Sequence, residues 1–361
     1  MELSIVLISK NQAWNISRLI ESVLRGSTSM PSREIILVDS ASTDETVDLA
    51  RLYPIDILRL GPDLPLSPAA GRYVGYKRSQ GEFVLFLDGD MELVPGWLEH
   101  AVRAMRDQPD AALMLSNQMI ELLPPSGPAA LPPNEKVTFT APQEVSRVSF
   151  VAGGAALYRR SVLEQVGTFN PYLKSDEEPE LYLRIRHAGY RILQLDLPIV
   201  RHFSVPQETL SGLLGRRRRN FLLGAGQCIR YHLRTNLLWP YIKERGSWSL
   251  LAALWLAVGL VSLLLTLVTR DDIWFAAWTL ALCLLLLAAV VRKRSLRRAF
   301  FSLFRRALMV EGLLKGFLMK PLPPDSYPCD VEVIKETSER PFFQPSPITF
   351  DNCPAPARDV N

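Results

Sequence analysis

Gly81-Glu82-Phe83-Val84-Leu85-Phe86-Leu87-Asp88-Gly89-Asp90 is the most informative run in the chain. Its five consecutive apolar residues fit a strand buried on both faces, as in the middle of an α/β sheet. The run then stops at two carboxylates separated by one glycine. In open α/β sheets, ligands bind beyond the carboxyl ends of the strands. Asp88 and Asp90 therefore fall where a ligand would sit. Two hard oxygen donors at that point suit Mg²⁺ or Mn²⁺ held partly by a substrate's phosphates. Asp-Gly is also a common turn dipeptide, so the stretch by itself fits a plain turn as well.

The residues before it repeat the same logic. Leu3 to Ile8 and Glu34 to Val38 read as buried strands, ending at Ser9-Lys10-Asn11 and at Asp39-Ser40. Ile55 to Leu60 is a third strand. Helices are expected between them: one from about Trp14 to Leu24, one capped by Ser42 to Thr46, and one opened by Ser67-Pro68. Strands alternating with helices argue for a mainly parallel sheet. Asn11, Asp39 and Asp88 all lie just past strand ends and are expected on one rim. Further on come a helix at 95–105, a strand at 111–116, a Pro-rich loop at 121–135 and a strand at 150–158 entered through Gly153-Gly154. Ser161 is expected to cap a short helix ending at Gly167. Asp176-Glu177-Glu178-Pro179-Glu180 then opens a helix running to His187-Ala188. Acids at a helix start favour the dipole, but four in five positions exceed what capping needs. A strand at 191–195 follows.

Lys plus Arg exceed Asp plus Glu by only 41 to 37 in 361 residues, which gives no case for nucleic acid. The four cysteines are far apart and fit reduced thiols. The N-terminus carries no basic region before its short apolar run, so it reads as a strand and not a signal peptide. Residues 248–268 and 273–291 carry no charge, and each is long enough to span a bilayer, which needs about 20 apolar residues. Only Thr269 to Asp272 separates them, so they form a tight hairpin. Lys243 and Arg245 precede it, and Arg292, Lys293, Arg294, Arg297 and Arg298 follow. The positive-inside rule then places both ends in the cytoplasm. Residues 207–242 and 295–319 mix leucine and phenylalanine with arginine, as in helices lying on an anionic membrane surface.

In their order and spacing these motifs resemble family-2 glycosyltransferases with a GT-A fold, across roughly residues 1–205. The match rests on the strand into Ser9-Lys10-Asn11, on Ile36 to Thr46, and on Ala70-Gly71-Arg72 leading to Phe86-Leu87-Asp88-Gly89-Asp90. Gly153-Gly154 and Glu177 to Leu181 with Arg184 also fit. The resemblance implies a Rossmann-like α/β domain acting on a nucleotide-sugar. Asp39 would hydrogen-bond the base, with Ser9 and Asn11 lining the pocket and Arg72 near the diphosphate. Asp88 and Asp90 match the DxD motif: Asp90 on the metal, Asp88 near the ribose or the metal. Glu178 takes the place of the catalytic base, usually an aspartate, and His202 that of an occasional third metal ligand. Three positions depart from the family pattern: Ser40 for a second Asp, Tyr73 for Asn, and Glu178 for Asp.

The chain thus divides into a glycosyltransferase domain (1–205), interfacial amphipathic helices (206–247), a transmembrane hairpin (248–291), a basic interfacial helix (292–320) and a Pro-rich cytoplasmic tail (321–361). Within that tail, residues 331–334 could form a strand that docks on the main domain. The arrangement is similar to polyprenyl-phosphate glycosyltransferases of the plasma (inner) membrane. It implies an inverting enzyme moving one sugar to a lipid acceptor, with Arg216, Arg217, Arg218 and Arg219 near a phosphate. Two other readings are a sugar-hydroxyl acceptor on a lipid-linked glycan and a membrane-anchored module that binds without turnover. Oligomeric state is open.

Overall fold

The computed structural model describes residues 1–30, 32–116, 118–124, 142–144, 154–204, 209–329 and 331–337, without the Trp248 side chain. Gly153, Cys353, most of the Pro-rich loop at 121–135 and the tail beyond 337 lie outside these residues. The chain groups into two compact units. One comprises Met1–Leu173, Glu177–Val205 and Leu322–Asn361 as far as described, and the other Lys174–Asp176 and Pro206–Pro321.

The first unit begins β1 (Leu3–Ser9), α1 (Ile16–Gly26), β2 (Arg33–Asp39), α2 (Thr46–Ala50), β3 (Asp56–Arg59), α3 (Pro68–Arg78) and β4 (Phe83–Asp88). It continues β5 (Met91–Leu93), α4 (Trp97–Asp107), β6 (Ala111–Ser116), β7 (Ile120–Leu122), β8 (Gln143–Glu144), β9 (Ala156–Arg159) and α5 (Arg160–Val166). Then come α6 (Glu177–His187), β10 (Arg191–Leu195) and β11 (Val200–Phe203). A last strand, β12 (Glu332–Lys335), follows the second unit in sequence. The main sheet runs β12-β3-β2-β1-β4-β9-β6-β10-β8 among the described residues. Its parallel part is β3-β2-β1-β4, and β6 and β10 are again parallel, while β9 joins the two parts antiparallel to both β4 and β6. The sheet is therefore mixed, with its parallel block formed by the first four strands. Every residue of β1 is buried, and so are the five apolar residues of β4, because the core lies on both faces of the sheet.

Local chemistry explains the ends. Ser67 caps α3, its hydroxyl accepting from the Ala70 N–H at 3.1 Å, with Pro68 in the first position. Ser161 does not cap α5; the helix begins one residue earlier, at Arg160. A second, three-stranded sheet, β5-β11-β7, was not expected from the sequence.

The segment after residue 321 is part of the first unit. β12 pairs antiparallel with β3, and the Lys335 amine reaches the carbonyls of Arg51 and Tyr53 at 2.8 and 2.6 Å. Tyr327 is buried against Tyr73 and Tyr172, with ring centroids 6.1 and 5.5 Å away. The Tyr73 hydroxyl donates to Asp325 at 3.3 Å. Replacing a buried aromatic by alanine costs about 3 kcal/mol or more. Tyr327→Ala is accordingly expected to destabilise this unit by about 3 kcal/mol, read as faster amide exchange in α3 and β3. Unchanged exchange there would show that the segment braces nothing.

The second unit holds α7 (Leu210–Arg218), α8 (Gly224–Tyr231), α9 (Leu238–Tyr241), a π-helical turn, α10 (Ser247–Thr269), α11 (Ile273–Lys293) and α12 (Leu296–Leu318). α8 and α12 cross closely, because Gly226, Gly312 and Gly316 present no side chain where the facing backbone passes. α10 and α11 are the two apolar runs. They touch each other where Gly259 admits Trp278, whose indole N–H donates to the Trp255 carbonyl at 3.2 Å. Almost nothing else in them is buried among the described residues. Cys228, Cys283 and Cys329 are free thiols.

Candidate active site

The register of the parallel strands builds the rim. Ser9 lies opposite Asp39, and Ile8 opposite Asp88, so the strand ends of β1, β2 and β4 sit side by side. Asp39 is fully buried and ties down the turn after β2. One of its oxygens accepts from the Ser42 N–H at 2.8 Å and the other from the Ser42 hydroxyl. Asn11 adopts the left-handed region at φ 55°, and its side-chain oxygen accepts from the Thr43 N–H at 2.8 Å. Ser9 Oγ and Gln12 Oε1 are buried without a hydrogen-bond partner among the described residues. Both residues lie against Gly89, between the two aspartates. Buried polar atoms rarely stay unpaired in a finished site.

Asp88 and Asp90 face different partners. The Asp88 side chain, 29% exposed, accepts from Arg72 Nη2 at 2.7 Å. Arg72 donates with its other fork to Glu177 at 2.7 Å, is 2% exposed, and lies over the Phe169 ring at 5.5 Å. Its guanidinium is thus turned into the protein, with both forks on carboxylates. Burial works against that charge, but Asp88, Glu178 and Glu177 outweigh it and raise the Arg72 pKa. Burial likewise raises Asp88 to about 7; Arg72 opposes this, and Asp90, Glu178 and Glu177 add to it.

Asp90 meets His202. The β11 register places His202 opposite Met91 on one side and Glu121 on the other. Its Nε2 lies 3.4 Å from Asp90 and its Nδ1 2.9 Å from Glu121. Burial disfavours the imidazolium, but hydrogen bonds to Asp90 and Glu121 prevail and raise its pKa to about 9. The ring is thus held between two carboxylates, and it would give up a proton on binding a metal ion. No group of three metal-capable side chains occurs among the described residues. Asp90 would then supply a carboxylate oxygen suited to Mg²⁺ or Mn²⁺ and His202 a nitrogen suited to Mn²⁺, with substrate phosphates completing the shell.

Glu178 accepts from the Gly154 N–H at 3.1 Å. Its pKa is raised by burial first, lowered by Arg72, raised by Glu177 and lowered by the Gly154 bond. Glu180 forms a two-pronged pair with Arg184 at 2.8 Å. Sequence reasoning missed Gln12, Glu121 and the separate task of Glu177. Only the surplus of acids at the start of α6 hinted at the last.

In the second unit the four arginines part company. Arg217 forks onto Glu311 at 2.6 and 2.7 Å, and Arg219 lies over the Phe221 ring at 5.2 Å. Arg216 is half-buried. Burial lowers its pKa, and so do Arg219 and Arg305, while Asp176 opposes them.

Residues 4–167 match the model of the glycosyl transferase family 2. Those residues are a family 2 glycosyltransferase domain. The chain is 27% identical over 227 residues to the uncharacterized glycosyltransferase YwdF of Bacillus subtilis, covering 62% of this chain and 82% of that one. It is also 27% identical over 228 residues to the glycosyltransferase AglE of Haloferax volcanii, covering 62% and 72%. Among solved structures, the mannosyltransferase PcManGT of Pyrobaculum calidifontis, in complex with GDP-Man and Mn²⁺, superposes with a TM-score of 0.54. The identity is 16%, and the match covers 88% of this chain and 87% of that one. The glycosyltransferase domain therefore has the GT-A fold.

Proposed function

We propose that the enzyme is metal-dependent and moves one sugar from its nucleotide donor to a membrane lipid, a polyprenyl phosphate, with inversion at the anomeric carbon. The observation that carries this is the pair of bare apolar helices in a chain that also holds the donor site. Uncharged surfaces of this length suit a bilayer. The flanking basic residues favour an orientation with the catalytic domain on the cytoplasmic side.

Ser9, Asn11, Gln12 and the turn held by Asp39 would line the nucleotide pocket. Asp90 and His202 would hold a divalent ion, with Asp88 beside it, and that ion would offset the charge growing on the departing nucleoside diphosphate. The acceptor oxygen attacks the anomeric carbon opposite the leaving diphosphate. One carbon–oxygen bond forms as the other breaks. A lipid phosphate brings its own charge, with a second pKa of about 6, and gives up no proton in this step. A hydroxyl acceptor must lose its proton, and Glu178, which accepts from the Gly154 N–H, would be the group to take it.

The raised Glu178 pKa favours this second reading, so Glu178→Gln separates the two. On polyprenyl phosphate, turnover is expected to fall less than about threefold, because no proton leaves in the step. A loss of about 10²-fold or more on every acceptor would make the acceptor a hydroxyl. The pH profile checks the same point. A base must be deprotonated to act, so with a hydroxyl acceptor activity would rise with pH through the raised Glu178 pKa, and Glu178→Gln would abolish that rise. With a lipid phosphate the acid limb persists in the variant.

A further inference from the structure

Arg72 is committed before any substrate arrives. One fork of its guanidinium holds Asp88 and the other holds Glu177, each at 2.7 Å. The group is 2% exposed and rests on Phe169, itself wedged edge-on against Phe86 and Tyr158 at 5.1 and 5.7 Å. A guanidinium is a planar fork, and fixing its plane fixes the direction of both bonds. Glu177 is buried at the first turn of α6. The three residues come from α3, β4 and α6, so a single side chain ties the end of the DxD strand to the helix that carries Glu178. Lysine could not do this, since it offers a point charge in place of two parallel donors.

We infer that Arg72 and Glu177 are a positioning pair that holds Asp88 in its working direction at the donor and metal site, and that Arg72 does not bind the diphosphate. This rests on the metal-dependent donor site proposed above. Neither residue touches substrate. Glu177 loads one fork of Arg72, which leaves the other fork one geometry, and that geometry aims Asp88. Outer partners of this kind typically matter 10- to 100-fold to metal affinity or activity.

The test uses the full-length protein in phosphatidylcholine nanodiscs, with Glu177→Gln, Arg72→Lys and the double variant. Binding of UDP and GDP is titrated against Mn²⁺ by calorimetry, alongside kcat and donor KM. Glu177→Gln is nearly isosteric and keeps a hydrogen bond to Arg72, so it is the variant most able to fold. It is expected to raise the half-saturating Mn²⁺ concentration about tenfold and to lower kcat 10- to 100-fold. Donor KM at saturating Mn²⁺ should stay within about threefold. The double variant should be no worse than Arg72→Lys alone, as expected for groups acting in series. On polyprenyl phosphate, Glu177→Gln should be the more damaging substitution than Glu178→Gln.

Two results would overturn the inference. In one, Glu177→Gln lowers thermal stability but leaves Mn²⁺ dependence and kcat unchanged, so the pair is only a brace. In the other, Arg72→Lys weakens nucleotide binding at saturating Mn²⁺ while Glu177→Gln does not, so Arg72 is a diphosphate ligand. A wild-type protein that binds nucleotide equally well without metal would instead sink the metal-dependent reading itself.

Discussion

Asp90→Asn is expected to lower kcat about 10³-fold while changing stability by less than about 1 kcal/mol. The two halves of that expectation come from different features. The Asp90 side chain is 32% exposed, and its ion-pair partner His202, 3.4 Å away, has Glu121 closer at 2.9 Å. Part-exposed pairs contribute about 0–1 kcal/mol, and His202 keeps the stronger of its two. Function depends on the charge far more. Asparagine keeps the shape and one oxygen but cannot balance a divalent ion, and removing one group aimed at developing charge costs about 10²–10³ in rate. The check is activity of wild type and variant after EDTA treatment, then with Mn²⁺ or Mg²⁺ restored. Wild type should lose its activity and regain it, and the variant should regain little. Full activity in EDTA-treated wild type would remove Asp90 from this role.

Much of the first unit was legible because it depends on local pattern. The runs Leu3 to Ile8, Ile35 to Val38 and Phe83 to Leu87 are buried on both faces, and such strands announce themselves as unbroken apolar stretches. Strand ends beside one another then bring Asn11, Asp39 and Asp88 to one rim. The antiparallel β9 was harder to foresee. Four residues cannot signal their direction, which is set by the strands on either side. β5, β7 and β11 are three or four residues each, too short to carry a period. Yet their pairing is what delivers His202 to Asp90. The acidic run at the start of α6 shows the same limit in one place. Its surplus over capping was visible. Its division of labour was not, because Arg72 and Gly154 reach Glu177 and Glu178 from distant points of the chain, while Arg184 takes Glu180 from one turn further along the same helix. The arginine run at 216–219 looked uniform in sequence, yet Glu311 and Phe221 give its members different surroundings.

Gly154→Ala should be nearly as damaging as Asp90→Asn, and by a route that tests the packing itself. Gly154 has φ +92°, where an L side chain is strained by about 1–3 kcal/mol. A β-carbon there would also land on the Asp88 carboxylate, well inside van der Waals contact. Asp88 cannot yield without leaving Arg72, and its loss would expose part of a buried ion network, where breaking a pair costs about 3–5 kcal/mol. The same residue's N–H holds Glu178. One methyl group therefore pushes on Asp88 and strains the backbone whose N–H holds Glu178. The expected outcome is a loss of at least about 10²-fold in kcat with roughly 3 kcal/mol of stability. Gly96→Ala separates the two causes. Gly96 has φ +84°, and a β-carbon there would meet nothing within 4 Å, so it carries the backbone strain without the collision. It should lose about 1 kcal/mol and no activity. If Gly154→Ala merely matches Gly96→Ala, the close approach of backbone to Asp88 has no part in catalysis. If it exceeds it by the margin given, the glycine is there because the carboxylate needs the space.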